Sequence, residues 1–237
     1  MDQDVSIPQA AAVSFPREEA LLIAGLLALT GGYLDAYTWI VHRAFANAQT
    51  ANLVFLWVYL TGGEWGKALH YVPPLFAFVL GVVMASCLRK VAPQKAPEIS
   101  ILTEIVFLFI IAILHNRLPQ VAGTLGLSFV AAFQPVSFPK VEGWSYSSVM
   151  ATSNFRYTIE GLFAAFAGSS EARPFRRPYA FGATCVAFGV GAAIGAIVTE
   201  VTRAYSLAIP ATLLVIVLLL CGLTTAKGVA AVVGVEA

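Results

Sequence analysis

Long apolar runs separated by short loops rich in glycine, proline and charge decide what this chain can become. The runs cover residues 20–41, 71–88, 99–114, 123–138, 179–201 and 206–224. Each approaches the roughly 20 apolar residues that a helix needs to cross a bilayer. Only 11% of the 237 residues are charged and 59% are hydrophobic, against about 25% charged in a soluble domain. So few charges cannot coat a water-facing surface, and lipid must cover much of this one. The net charge of +1 says nothing about nucleic acid, but no basic run exists, so no nucleic-acid partner is expected.

The first 19 residues are polar and carry Asp2, Asp4, Glu18 and Glu19. They lack the basic start and immediate apolar stretch of a signal peptide, and read as a disordered cytoplasmic tail. The single membrane domain expected over 20–225 precedes a C-terminal tail, 226–237. No loop is long enough to hold a soluble domain. Cys87, Cys185 and Cys221 sit in apolar segments without metal-ligand spacing, so no metal or other cofactor is expected. The zinc-protease, G-x-S-x-G and phosphate-loop patterns are missing, which argues against an enzyme and against transport driven by ATP on this chain.

Two further segments are unlike the six runs. Residues 47–60 are short and open on Asn47, Gln49, Thr50 and Asn52, and residues 146–167 carry Arg156 and Glu160 in their middle. The spacing of landmarks repeats. Asp35, then Thr50-x-Asn52, then Ala77-Phe78-x-x-Gly81-x-x-x-Ala85 is followed in the same order by Gln134, Thr152-x-Asn154 and Ala187-Phe188-x-x-Gly191-x-x-x-Gly195. The last of these is a small-xxx-small face that lets helices approach closely. Duplication explains the order, with halves at about 20–115 and 123–225.

Charge bears on how the halves lie. Full crossing by all eight segments divides the basic residues almost evenly between the two sides. If 47–60 and 146–167 enter and leave on one side, Arg17, Arg89, Lys90, Lys95, Lys140, Arg173, Arg176, Arg177 and Lys227 face Arg43, Lys67, Arg117 and Arg203. That asymmetry obeys the positive-inside rule with both termini cytoplasmic. It also gives each half three full crossings, which inverts the second copy. The expected fold is an all-α polytopic membrane helix bundle of six full spans plus two short or re-entrant helices, in two inverted halves.

Stretches of the chain resemble the YoaK-like family of small bacterial multi-pass inner-membrane proteins. They are GGYLDA at 31–36, QTANL at 49–53, AFVLGVVMAS at 77–86, Leu102-Thr103-Glu104, FQPVSF at 133–138, Thr152-Ser153-Asn154 and AFGVGAAIG at 187–195. The family's Thr-Gly-Asn stands here as Thr50-Ala51-Asn52 and Thr152-Ser153-Asn154, and its Gln-Asn as Gln134-Pro135. The resemblance implies the fold and the bacterial inner membrane, and supplies no reaction.

A carboxylate at membrane depth costs roughly 2.5 to 3.5 kcal/mol on insertion scales, so Asp35 is a candidate for coupling protons or cations. Thr50, Asn52, Gln134, Thr152 and Asn154 are candidates for binding a small solute near the midplane. The structural alternative makes each a helix cap or an interhelical hydrogen bond. Arg156 and Glu160, spaced i, i+4, read as an ion pair on one helix face. Glu104 reads as interfacial. Gln134 is the expected partner for the carbonyl that Pro135 frees. The function expected is a secondary transporter or permease of a small solute, against a membrane scaffold whose polar residues are structural. The partners are the bilayer and the solute, with room for a homo-oligomer.

Overall fold

A computed structural model describes residues 15–168 and 173–233. The polar tail up to residue 14, loop residues 169–172 and residues 234–237 lie outside the described residues. Among the described residues, the regular structure is helical apart from one small hairpin. After a 3-10 turn at Arg17–Glu19 come α1 (Leu21–His42), α2 (Gln49–Thr61), α3 (Trp65–Leu69), α4 (Val72–Val91), α5 (Ala96–Leu114), α6 (Gln120–Ala131) and α7 (Phe133–Ser137). The hairpin β1 (Lys140–Val141) and β2 (Trp144–Ser145) precedes α8 (Ala151–Phe166), α9 (Arg176–Thr202), a second 3-10 turn at Arg203–Leu207 and α10 (Ala208–Val233).

Local chemistry sets many of the boundaries. Prolines stand in the first turns of α4 and α5, where the missing N–H has no helical partner to lose. Pro135 clashes with the carbonyl four residues back, and that residue, Ala131, is where α6 stops. Pro210 falls in the first turn of α10 and causes no break. Glu142 and Gly143 turn the hairpin with φ of 48° and 84°, the mirror-image turn that suits a two-residue hairpin loop. Arg43 and Arg203 adopt φ of 55° and 53° directly after α1 and α9.

Among the described residues, four stretches are long and apolar enough to cross a membrane: Leu21–His42, Trp65–Val91, Ala96–Leu114 and Arg176–Gly222. The last contains α9 and part of α10, separated by the turn at Arg203. The segment expected over 123–138 is instead a 12-residue helix followed by a one-turn helix. The 13 residues of α2 and the 16 of α8 span about 20 and 24 Å, short of a hydrocarbon core of about 30 Å.

Glycines set the closest packing. A Cβ added to Gly191 would lie 1.9 Å from the Leu29 carbonyl oxygen, and one on Gly81 would lie 2.2 Å from that of Phe129. These are the small-residue faces expected from the spacing, and they join α9 to α1 and α4 to α6. The α1–α9 pair is parallel, since Leu29 meets Gly191 and Tyr33 meets Gly195. α4 and α6 are parallel too, as Arg89 Nη1 donates to the Val136 carbonyl beyond the Gly81 contact. α6 runs against α1, because Gly123 at its start touches the His42 ring at the end of α1. The core between them is filled by Leu27, Leu34, Ile101, Leu108, Leu127 and Leu214, among others.

Candidate functional site

Where the short helices begin decides what the polar residues do. His70, just before α4, donates its Nε2–H to the carbonyl of His42, the last residue of α1, at 2.7 Å. The chain therefore starts α4 at the end where α1 stopped, and the segment between them does not cross. It first turns inward. The Asn47 backbone N–H donates to Asp35 Oδ1 at 2.8 Å, and its side-chain amide donates to the carbonyl of Gly31 at 3.2 Å. Gly31 stands in the middle of α1. From this depth α2 climbs back out.

The polar residues of the first half knit this inward loop. Thr38 Oγ1 accepts from Ala46 N. Asn52 accepts from Phe45 N at 2.9 Å, and donates to Phe45 O at 2.8 Å and to Gln49 Oε1 at 2.9 Å. Gln49 Nε2 donates to Ala46 O. Backbone groups that no sheet or helix satisfies are thus satisfied by side chains, as a buried loop requires. Asp35, Thr38, Asn47 and Asn52 are all buried.

The second half does the same from the opposite end. Tyr146 and Val141 pack with Ala24 and Phe181, near the starts of α1 and α9. The next residues pass inward, and a Cβ on Gly31 would lie 2.9 Å from Val149 Cγ1 and 3.8 Å from the Ser148 carbonyl. Then α8 climbs out beside the start of α9, with Gly161 on Pro178 and Gly182 on Thr158. Asn154 donates Nδ2–H to Ser147 O at 2.8 Å. The two inward loops meet at Gly31, which is tightly packed.

Of the residues singled out by sequence, Asp35, Asn52, Gln134 and Asn154 are buried around these loops. Thr50 and Thr152 are not: both are exposed on the outer faces of α2 and α8. Residues two apart on a helix cannot share a face, so only one of each Thr-x-Asn pair can turn inward. Arg156 Nε and Glu160 Oε1 pair at 3.0 Å with side chains 66% and 59% exposed, on the outer face of α8 and away from the loops. Gln134 does not serve the carbonyl freed by Pro135.

Instead, Gln134 Nε2 donates to both oxygens of Glu104 at 2.9 Å, and its own Oε1 accepts from Ser148 Oγ at 3.3 Å. Glu104, expected at an interface, is 0% exposed. Its place in the bundle follows from the broken α6–α7 helix, which swings Gln134 toward α5. The signal in the sequence was the acid two residues into Leu102-Thr103-Glu104, one helical turn past Ser100. Ser100 Oγ lies 2.6 Å from Ser137 Oγ, so α5 and α7 are joined by two polar layers. Neither Asp35 nor Glu104 has a basic side chain in ion-pair contact among the described residues, where the ion pairs are Lys67–Glu64, Arg156–Glu160 and Arg176–Glu142. Among the described residues, no three His, Cys, Asp or Glu converge as a metal site.

No curated protein and no solved structure matches this chain. A model of the DUF1275 family, described as protein of unknown function, matches residues 23–220. Most of the chain lies within that match, including the loops, Gly31, Asp35, Glu104 and Gln134: this helical membrane protein belongs to the DUF1275 family.

Proposed function

We propose that the chain is a secondary transporter or permease of a small solute, seen with its central site closed. The observation that carries this reading is the meeting of two inward loops, from opposite ends of the bundle, at Gly31 in the middle of α1. Broken or re-entrant helices that meet at mid-depth are how many transporters expose backbone and side-chain polar groups to a solute. Non-helical backbone at that depth is tolerated where protein or a water-filled cavity surrounds it. Asp35 anchors the first loop, and Gln134 and Ser148 hold the second. Opening on either side exchanges these contacts for contacts with the solute.

The packing supports two inverted halves with α1, α2, α4 and α5 matching α6–α7, α8, α9 and α10. Each relation has its counterpart: α1 packs on α9 as α6 packs on α4, α2 on α4 as α8 on α9, and α1 on α10 as α6 on α5. The first helix of each half thus sits against the third element of the other. Arg43, Lys67 and Arg203 lie at the end where α2 emerges, and Arg17, Lys140, Arg176 and Arg177 at the end where α8 emerges. By the positive-inside rule the second end faces the cytoplasm, which in a bacterial inner membrane places both termini there.

A second reading has its own observation. The contacts of Asp35, Asn47 and Asn52 go largely to the first loop and α1, as they would in a scaffold. Flux separates the two. The full chain is reconstituted in liposomes that enclose a membrane-impermeant pH dye, and amino acids, carboxylates, sugars and amines are added outside. Solute-dependent proton movement in these liposomes that protein-free liposomes do not show supports transport. Absence of flux for every solute class together with unfolding of Asp35→Asn supports the scaffold.

A further inference from the structure

The two buried carboxylates are held in opposite ways. Asp35 Oδ1 receives a backbone N–H from Asn47 at 2.8 Å. That fixed backbone donor ties it to one loop. Glu104 has a single amide nitrogen to share between its two oxygens, and that nitrogen belongs to a side chain, on the short helix that contains Pro135. No fixed backbone donor, no hydroxyl and no cation contacts it among the described residues. A buried carboxyl so poorly solvated takes up a proton rather than remain charged.

The surroundings agree. Packed against α5 are α10, α6, α7, α4 and the turn at Arg203–Leu207. α6 and α7 contain no titratable residue. On α4, Arg89 turns its guanidinium to the Val136 carbonyl, and Cys87 and Lys90 are exposed. On the turn, Tyr205 meets His115, just past the far end of α5, edge to face. Within the described side chains of α10, Cys221 is the titratable group, near Glu18 and Glu98 rather than Glu104. Tyr146, at the base of the second loop, packs with Ala24 and Phe181.

We propose that Glu104, not Asp35, is the acid of this site: it holds a proton while the site is closed and exchanges it with water when the second loop moves. Two features give the proton a direction. Toward the start of α5, one turn from Glu104, the Ser100–Ser137 hydroxyl pair is the next polar layer on the side of the end that carries Arg89, Lys90 and Lys95. Toward Gly31, Gln134 connects Glu104 to Ser148, whose carbonyl abuts the meeting point of the loops. Movement of that loop withdraws Ser148 from Gln134, turns the amide, and changes how Glu104 is solvated. The carboxyl then releases H⁺ to water as a carboxylate, and regains H⁺ from water when it recloses. The inference deepens the transport reading and rests on it only for the purpose of the proton.

Infrared spectroscopy tests it on the full chain in liposomes, since the C=O stretch of a protonated carboxyl is distinct from the bands of a carboxylate. The band is expected in the unaltered protein, lost in Glu104→Gln and kept in Asp35→Asn. If either variant fails to fold, isotope labelling of the unaltered protein replaces it: the band shifts with carboxyl-labelled glutamate and not with carboxyl-labelled aspartate. A band that survives Glu104→Gln, that shifts with labelled aspartate, or that is absent altogether overturns the assignment. A band on Glu104 in a chain that moves no proton under any solute upholds the assignment and overturns transport.

Discussion

Asn52 and Asn154 each donate a side-chain amide to the carbonyl seven residues earlier, Phe45 and Ser147, and both bonds are 2.8 Å long. Each asparagine sits in the first turn of a short helix and ties that turn to the inward loop before it. The two are not energetically equal. Asn52 also accepts from Phe45 N and donates to Gln49, whereas Asn154 Oδ1 is buried without a partner among the described residues. A buried polar group left unpaired costs about 1–3 kcal/mol. Asn52→Ala is therefore expected to destabilise by more than about 3 kcal/mol and Asn154→Ala by about 1. Thermal unfolding of both in one detergent gives the order, and a larger loss for Asn154→Ala would contradict it.

The α1–α9 contact leaves no room for a methyl group. A Cβ on Gly32 would fall 2.0 Å from the Phe188 carbonyl oxygen, whereas one on Gly25 meets nothing within 4 Å. Overpacking a rigid contact costs about 1–3 kcal/mol and sometimes more, and here the obstacle is backbone. Gly32→Ala and Gly191→Ala should lower the melting temperature or abolish folding, with Gly25→Ala close to neutral. Equal melting of Gly25→Ala and Gly32→Ala would refute the close parallel packing.

Lys67 follows α2 and Arg173 follows α8, so re-entrance of both helices, as proposed, delivers the two residues to opposite ends. In a cysteine-free background, Lys67→Cys and Arg173→Cys should react with an impermeant thiol reagent from opposite sides of the membrane. Reaction of both from one side would mean that α2 or α8 crosses fully.

The exposed Arg156–Glu160 pair should contribute at most about 1 kcal/mol, as surface pairs do. Arg156→Gln is expected to leave melting and solute flux nearly unchanged. A loss of flux in the folded variant would place an anion contact on the outer face of α8.

Asp35 offers a graded test of the first loop. Asparagine keeps an oxygen where Asn47 N–H donates, and alanine removes it. Asp35→Ala should destabilise by about 1–3 kcal/mol more than Asp35→Asn, the penalty for an orphaned buried N–H. Chemical denaturation in detergent measures the difference, and equal stabilities would mean that the Asn47 bond holds nothing in place.

The sequence carried whatever depends on residues near one another along the chain. Apolar run length, proline and glycine punctuation and small-residue spacing are local, so helicity, the membrane setting, the glycine contacts and the Arg156–Glu160 pair could all be read from it. Asp35 stood out because a lone acid in an apolar run has no local explanation. Glu104 did not stand out, because an acid near a helix start looks like an ordinary interfacial residue until the fold covers it. Its burial depends on Pro135 stopping α6 at Ala131 and on Gln134, thirty residues away, then turning toward α5. The inward faces of Asn52 and Asn154 and the outward faces of Thr50 and Thr152 were likewise open, since a two-residue spacing says that the faces differ but not which one the bundle buries. Only tertiary packing brings residues 31, 47 and 149 to one point, because contacts between distant segments are set by how whole helices fit and not by any short stretch of residues.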